Sequence, residues 1–351
     1  MPSTSAPATP VPPTATPIPT VPPTPPTPTP TPRPTLTPTL VPTPAPTATE
    51  VPTPDPTRAA QQQYCDTAVA PGRVALPPLA PVIQITPPDA PTQPTPTTGG
   101  PHQTGADPLP HITAPHIAVL DDASGALLYS LDPFAREAPA SITKIVTTIV
   151  ALERQPDIHK VFTTTVSASA LVACDGSSVM GLEPNDHVTL ETLLYGMMLP
   201  SGNDAAEQVA YSLAGSRSAY VGWMNEKVAD LGLRDTHFVT PSGMDADDHY
   251  SSAYDMALLA RYAMRNEEFR TLAAAKSFTG DDYVMHNLNP LLYSYAGADG
   301  VKIGYTDIAG RTIVASASRD GHRVYVSLMG TLNFTTDCTA LFDWVFKNFT
   351  W

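Results

Sequence analysis

The chain has 351 residues, a formal net charge of −14 and 42 prolines, of which 35 fall in residues 1–115 and 7 in residues 116–351. Proline fixes φ and removes a backbone donor, so this density excludes helices and sheet ladders from most of the first part. Lys/Arg number 3 against 5 Asp/Glu before residue 116, and 16 against 28 from there on. An acidic surface without a basic block argues against a nucleic-acid track or a polybasic membrane patch, and no nucleic-acid partner is expected.

Residues 1–60 hold 22 prolines interleaved with threonine. Such a segment has too few large apolar groups for a core, so the composition implies a polyproline II or disordered stalk. At about 3.1 Å per residue it reaches on the order of 190 Å as a spacer, and its threonines suit O-glycans. Residues 61–115 read as a Pro-rich linker, docked at most in part through Val74-Ala75-Leu76 and Val82-Ile83-Gln84-Ile85. Residues 116–351 suit one domain with a substantial core.

Within that domain, Ile117–Leu120 and Ala126–Leu131 flank the turn cluster Asp121-Asp122-Ala123-Ser124-Gly125, which predicts an antiparallel hairpin. Arg311–Ala317 and Val324–Met329 around Arg319-Asp320-Gly321-His322 predict a second. Between the hairpins, apolar side chains recur every three or four residues in 142–154, 204–214, 218–231 and 252–265, the helical pattern. Ser252 followed by Asp255 resembles a capping box for the last of these. A closing helix is expected over 335–347, with Leu341, Trp344, Val345 and Phe346 toward the core. The fold class is therefore α/β, with an antiparallel sheet drawn from both chain ends, flanking helices and a helical subdomain.

Cys65, Cys174 and Cys338 have no metal-ligand spacing, and an odd count closes no disulfide framework. Cys174 and Cys338 either pair in an oxidising compartment or are two buried free thiols. His237, His249, His286 and His322 sit in turn-like contexts without paired ligand spacing, so no metal is expected. The loop acids Asp245, Asp247 and Asp248 read as a solvated cluster rather than a calcium site. No apolar run of about 18 residues exists. Met1-Pro2-Ser3-Thr4 lacks a basic n-region, so any export segment is expected upstream of Met1.

Three short motifs carry chemistry. In Ser141-Ile142-Thr143-Lys144 the serine and lysine share a helical face, where a neutral amine can take the hydroxyl proton and the helix N-terminus favours the charge that develops. Ser201-Gly202-Asn203-Asp204 stands at a turn-to-helix junction and alone reads as an N-cap. Lys302-Ile303-Gly304-Tyr305 puts a cation and an unencumbered backbone on a strand edge, which a substrate chain could join by main-chain hydrogen bonds.

Ser-x-x-Lys, then Ser-x-Asn 57 residues beyond Lys144, then Lys-x-Gly 99 beyond Asn203, are far more specific in that order than singly. Here the sequence resembles the penicillin-recognising serine enzymes, and within them the D-alanyl-D-alanine carboxypeptidases, the low-molecular-mass penicillin-binding proteins. The resemblance covers about 116–351. It extends through Gly176-Ser177-Ser178-Val179-Met180, Gly232–Phe238, Ser242–Asp247, Tyr250–Ala257 and Gly304-Tyr305-Thr306-Asp307.

The resemblance implies the β-lactamase/penicillin-binding fold. It also implies that Ser141 attacks the carbonyl between two terminal D-alanines of a peptidoglycan stem peptide, with Lys144 as base. Ser201 and Asn203 would serve proton shuttling and the substrate amide, and Lys302 would face the substrate carboxylate. Backbone N–H groups of Ser141 and Tyr305 would form the oxyanion hole, and Gly304 and Tyr305 would bind the substrate chain. No cofactor is implied, β-lactams would be inhibitors, and the enzyme would work outside the cytoplasm, at the cell wall or outer face of the membrane. His286-Asn287-Leu288-Asn289 would line the cleft.

One departure is Ile303, where the family usually has threonine. Its hydroxyl helps bind the terminal carboxylate, and losing a hydrogen bond to a charged group costs about 1.5–3 kcal/mol. The family also often carries a further β-rich domain, whereas this sequence runs to Trp351, just past the last helix. A β-lactamase of class A would need a glutamate after the second motif, and Glu183-Pro184-Asn185 lies before it. A catalytically weakened wall-binding protein is the remaining alternative. Retention of both lysines argues against it, because two unneeded buried ammonium groups are costly.

Overall fold

The computed structural model describes residues 100–351. The expected stalk, the two apolar runs of the linker and Cys65 lie outside the described residues.

Both predicted hairpins form, and they share one sheet. Strands β1 (His102–Gln103), β2 (His116–Asp121) and β3 (Leu127–Leu131) open the described chain; β8 (Ala298–Thr306), β9 (Gly310–Arg319) and β10 (His322–Thr331) come near its end. The central sheet runs in the order β3-β2-β10-β9-β8, antiparallel at each of its pairings, so β2 from one end of the domain sits beside β10 from the other. Alternation along β2 then sorts side chains between two cores. Ala118 and Leu120 join the helical side, and Ile117 and Val119 join the face covered by the last helix.

The four helical patterns appear as a 3-10 turn (Ala140–Thr143) running into α1 (Lys144–Arg154), and, further along, as three more helices. Before those come β4 (Val161–Thr163), α2 (Ala168–Asp175), β5 (His187–Thr189) and α3 (Leu190–Met198). The three are α4 (Asn203–Ala214), α5 (Arg217–Asp230) and α6 (Ala253–Ala263). α7 (Glu267–Ala274), the hairpin β6 (Ser277–Gly280) and β7 (Tyr283–His286), and the single-turn α8 (Leu291–Ser294) complete the connection to β8.

α1 is buried along nearly its whole length, because apolar and small residues surround it on all sides. Ser252 does cap α6, accepting the Asp255 N–H at 3.2 Å. Asp255 does not complete the box; its carboxylate turns to the Asp235 N–H and the Thr236 hydroxyl, both at 2.8 Å, and ties a preceding loop to the helix instead.

α9 (Phe334–Asn348) is the closing helix, and it buries Leu341, Phe342 and Val345 against the outer face of the sheet. Part of the linker docks beside it. β1 pairs with β11 (Phe349–Thr350), and Trp344 donates its indole N–H to Asp107 O at 3.0 Å. The buried Asp337 carboxylate accepts the Thr113 N–H at 3.1 Å and the Thr113 and Thr331 hydroxyls at 2.6 Å each. Cys338 beside it is a buried free thiol, whereas Cys174 is disulfide-bonded. The two therefore neither pair with each other nor form a matched pair of free thiols. They sit on opposite sides of the sheet, Cys338 under α9 and Cys174 in α2. Among the described residues, no helix is long and apolar enough to cross a membrane.

Because Asp337 holds three donors without a counter-cation, Asp337→Ala should lower the unfolding free energy by about 2–3 kcal/mol in urea titration. Chemistry at Ser141, on the other side of the sheet, should be unchanged in the folded fraction.

Candidate active site

The three motifs converge. Ser141 lies on the 3-10 turn and Lys144 at the first position of α1, so their three-residue offset places Nζ 2.9 Å from Oγ. Lys144 makes two further contacts, to Asn203 Oδ1 at 2.6 Å and to the Ser242 carbonyl at 2.7 Å. Lys302, on β8, reaches Ser201 Oγ and the Ile303 carbonyl, both at 3.0 Å. Lys144 and Lys302 are 0% and 2% exposed, and among the described residues neither has a carboxylate in contact.

Burial disfavours the ammonium form of both. It holds Lys144 well below the ordinary lysine range, with the nearby Lys302 charge adding to the effect and Asp204 and Glu207 opposing it. Lys302 is pulled down to about 7 by desolvation. The contact geometry then decides what Lys144 can do. A neutral amine has two N–H donors and one lone pair. The Asn203 and Ser242 carbonyl oxygens can only accept, so they take the two donors and leave the lone pair for the Ser141 hydroxyl proton. A neutral amine arranged this way can accept that proton.

Strained backbone presents two of these groups. Ala140 and Ser201 are non-glycine residues with φ of +52° and +64°, a left-handed conformation retained where the surroundings fix it. Ser201 is therefore not the N-cap its motif suggests: Gly202 stands there and makes no side-chain cap. Asp204 is spent on a neighbouring segment, accepting the N–H groups of Met180, Gly181 and Leu182 at 2.9–3.0 Å. Asn203 Nδ2 donates to Ser177 Oγ at 2.9 Å, which fixes the amide so that its oxygen faces Lys144.

Gly304 answers to a constraint from within the protein. A Cβ there would lie 2.8 Å from the Ser141 nitrogen and 2.5 Å from Thr312 Oγ1, so only glycine lets the serine turn approach the strand. The sequence reading assigned that space to a substrate chain; the near neighbour is Ser141 itself. Tyr305 projects its ring outward, 61% exposed, with its hydroxyl on Asp307 at 3.0 Å. Ile303 faces the outer core opposite Ile313, away from the lysines. Leu288 donates its N–H to Leu199 O at 3.1 Å, which brings the 286–289 segment beside the Ser201 turn.

Sequence reasoning missed the Ser242 carbonyl, a backbone group without a residue-type signature, and Ser177, whose role follows only from its bond to Asn203. A small hollow beside Asn203, lined by Leu171, Ser177, Glu207, Ser242 and Met244 among others, belongs to the same region. Among the described residues, no three His, Cys, Asp or Glu side chains gather as a metal site, and Asp245 instead accepts the Thr306 hydroxyl at 2.9 Å.

The sequence pattern of the S11 peptidases, D-alanyl-D-alanine carboxypeptidase, matches residues 102–333. The chain belongs to this family. It is 36% identical over 253 residues to the D-alanyl-D-alanine carboxypeptidase DacA of Escherichia coli K12, covering 69% of this chain and 62% of that protein. It is 32% identical over 239 residues to DacF of Bacillus subtilis, covering 66% and 61%. The match therefore spans about three fifths of the length of these relatives. Among solved structures, the Streptomyces K15 DD-transpeptidase superposes with a TM-score of 0.65 at 30% identity, over 69% of this chain and 100% of that one. The penicillin-binding DD-peptidase fold expected from the motifs is the fold observed.

The depressed Lys302 makes stability depend on pH in a definite direction. Between about 7 and the ordinary lysine value of 10.5, the unfolded chain binds a proton that the folded site does not. Stability contributed by this group therefore rises with pH across that window. Lys302→Met should stabilise the fold more at pH 7 than at pH 10, with urea midpoints compared across the range; an equal offset at both would contradict the buried-cation account.

Proposed function

We propose that the chain is a serine-type D-Ala-D-Ala carboxypeptidase that removes the terminal D-alanine of peptidoglycan stem peptides through an acyl-enzyme. The observation that carries the reading is the Lys144 amine, buried without a carboxylate contact, with two acceptors fixed and its lone pair left for Ser141. The relatives named as D-alanyl-D-alanine carboxypeptidases support the same substrate class.

In this mechanism Lys144 takes the Ser141 proton as Oγ attacks the penultimate D-alanine carbonyl. The oxyanion is held by the N–H groups of Ser141 and Tyr305, each worth about 2.7–4 kcal/mol if like other such donors. Ser201, joined to Lys302, delivers a proton to the leaving D-alanine nitrogen, and water attacking the ester releases the shortened peptide. The Asn203 amide orients the stem peptide. Lys302, joined to Ser201, supplies positive potential for the terminal carboxylate. Gly304 and Tyr305 form the strand edge on which the peptide lies. The enzyme acts outside the cytoplasm, at the cell wall or the outer face of the membrane, with the Pro/Thr segment as a spacer. β-Lactams acylate the same serine.

A labelled penicillin should add one acyl group to the wild type and none to Ser141→Ala; label retained by the variant would remove Ser141 from its role. Release of D-alanine from diacetyl-Lys-D-Ala-D-Ala separates hydrolysis of peptide from turnover of penicillin, and thus carboxypeptidase from β-lactamase. Ile303→Thr should lower Tm, because the isoleucine packs in the outer core, and should leave kcat/KM for the peptide within about threefold of wild type, because a side chain at 303 faces away from the lysines. Absence of release from both proteins would favour a wall-binding role.

A further inference from the structure

The sequence places His249 in a turn without a partner, but the structure buries it to 5% exposure between the serine turn and a loop. Its Nδ1 accepts the Val239 N–H at 2.8 Å, with the Thr240 N–H at 3.4 Å. A nitrogen that accepts cannot carry the proton of a neutral imidazole, so the proton sits on Nε2. Nε2 lies 3.1 Å from Thr143 Oγ1 and therefore donates to it. Thr143 directly precedes Lys144.

The loop gripped from the other side carries the Ser242 carbonyl that contacts Lys144 Nζ at 2.7 Å. It is braced internally by Thr240 Oγ1, which accepts the Gly243 N–H at 3.1 Å and donates to Met244 O at 3.2 Å. Thr147 ties it to α1 once more, donating to Pro241 O at 2.6 Å. Its fit is close: a Cβ on Gly243, whose φ is +87°, would fall 1.9 Å from the Ala140 carbonyl oxygen. A small displacement of this loop would move one of the two acceptors that aim the lysine lone pair.

We propose that His249 is a positioning residue for acylation: by accepting from the 239–240 backbone and donating to Thr143, it holds the Ser242 carbonyl on the Lys144 amine. The inference rests on the peptidase reading and adds to it a group that never touches substrate. What the position requires is one acceptor and one donor at opposite ends of a flat, uncharged side chain. Burial, reinforced by the neighbouring His237 charge, keeps the ring neutral down to a pH of about 3, so the clamp persists throughout the range in which the lysines titrate.

The test uses three variants of the full chain. Glutamine supplies a carbonyl and an N–H, so His249→Gln should acylate with penicillin within about threefold of wild type. Leucine supplies neither, and His249→Leu should lose about 10- to 100-fold in acylation rate, the scale of a displaced catalytic group, with little change in initial penicillin affinity. Thr143→Val removes only the clamp's acceptor and should reproduce much of that loss; combined with His249→Leu it should add little.

A second readout needs no activity. The Lys144 side chain, followed by carbon-13 NMR at Cε, should titrate about half a unit or more lower in His249→Leu and Thr143→Val, since a carbonyl on the ammonium favours its charged form. Lys302, Asp204 and Glu207, the charges that act on Lys144, are unaltered in these variants. Equal impairment of His249→Gln and His249→Leu would overturn the proposal. So would wild-type acylation and titration in folded Thr143→Val, the variant that decides the matter if His249→Leu does not fold. A wild type that takes no penicillin label would instead overturn the peptidase reading, leaving the Lys144 titration to judge the clamp.

Discussion

The desolvation of two lysines in one cleft is the constraint on which the rest of the site depends. An ammonium without an adjacent carboxylate is costly away from water, and two such groups near each other raise the cost further. Burial pushes Lys144 away from its charged form, and the acceptors around it have no charge of their own. An amine held this way is able to take a proton that an ammonium could not. In keeping with this, Asp204, which directly follows Asn203, is turned onto three backbone N–H groups instead of meeting the lysine.

The architecture delivers these groups from three independent directions. Ser141 and Lys144 come from the turn at the head of a helix buried along nearly its whole length, Asn203 and Ser201 from a left-handed turn, and Lys302 from the edge strand. Close approach of the turn to the strand is bought by a single missing side chain, Gly304, and approach of the 239–244 loop by another, Gly243. The chemistry thus rests on backbone proximity as much as on side-chain identity. His249 belongs to this arrangement as a bridge between two backbone segments that must keep their distance from Lys144.

Much of the fold was legible because its signals are local. The two hairpins, the helical stretches and the cap at Ser252 follow from alternation, periodicity and turn chemistry within a few residues, and each appears where those patterns put it. The failures are equally physical. Asp255 could reach back to its own helix or across to residues 235–236, and only packing chose between them. Cys174 and Cys338 look equivalent along the chain, yet the sheet separates them, leaving one in a disulfide and the other a free thiol. The described end of the linker docks through Asp337, a contact between residues 224 positions apart that no local pattern announces.

The sequence by itself determined which atoms are available: a hydroxyl and an amine three residues apart, a Ser-x-Asn turn, a lysine followed by a glycine, and a proline-rich segment that cannot form a core. Those properties are set by covalent order and short-range geometry. Tertiary structure alone decided that a carbonyl at position 242 and an amide at 203 would share one amine, that isoleucine 303 would face the outer core, and that a histidine would link the 239–240 backbone to Thr143, 106 residues before it. Backbone acceptors are present at every residue and carry no signature of type, so their selection waits on the folding that brings them to one lysine.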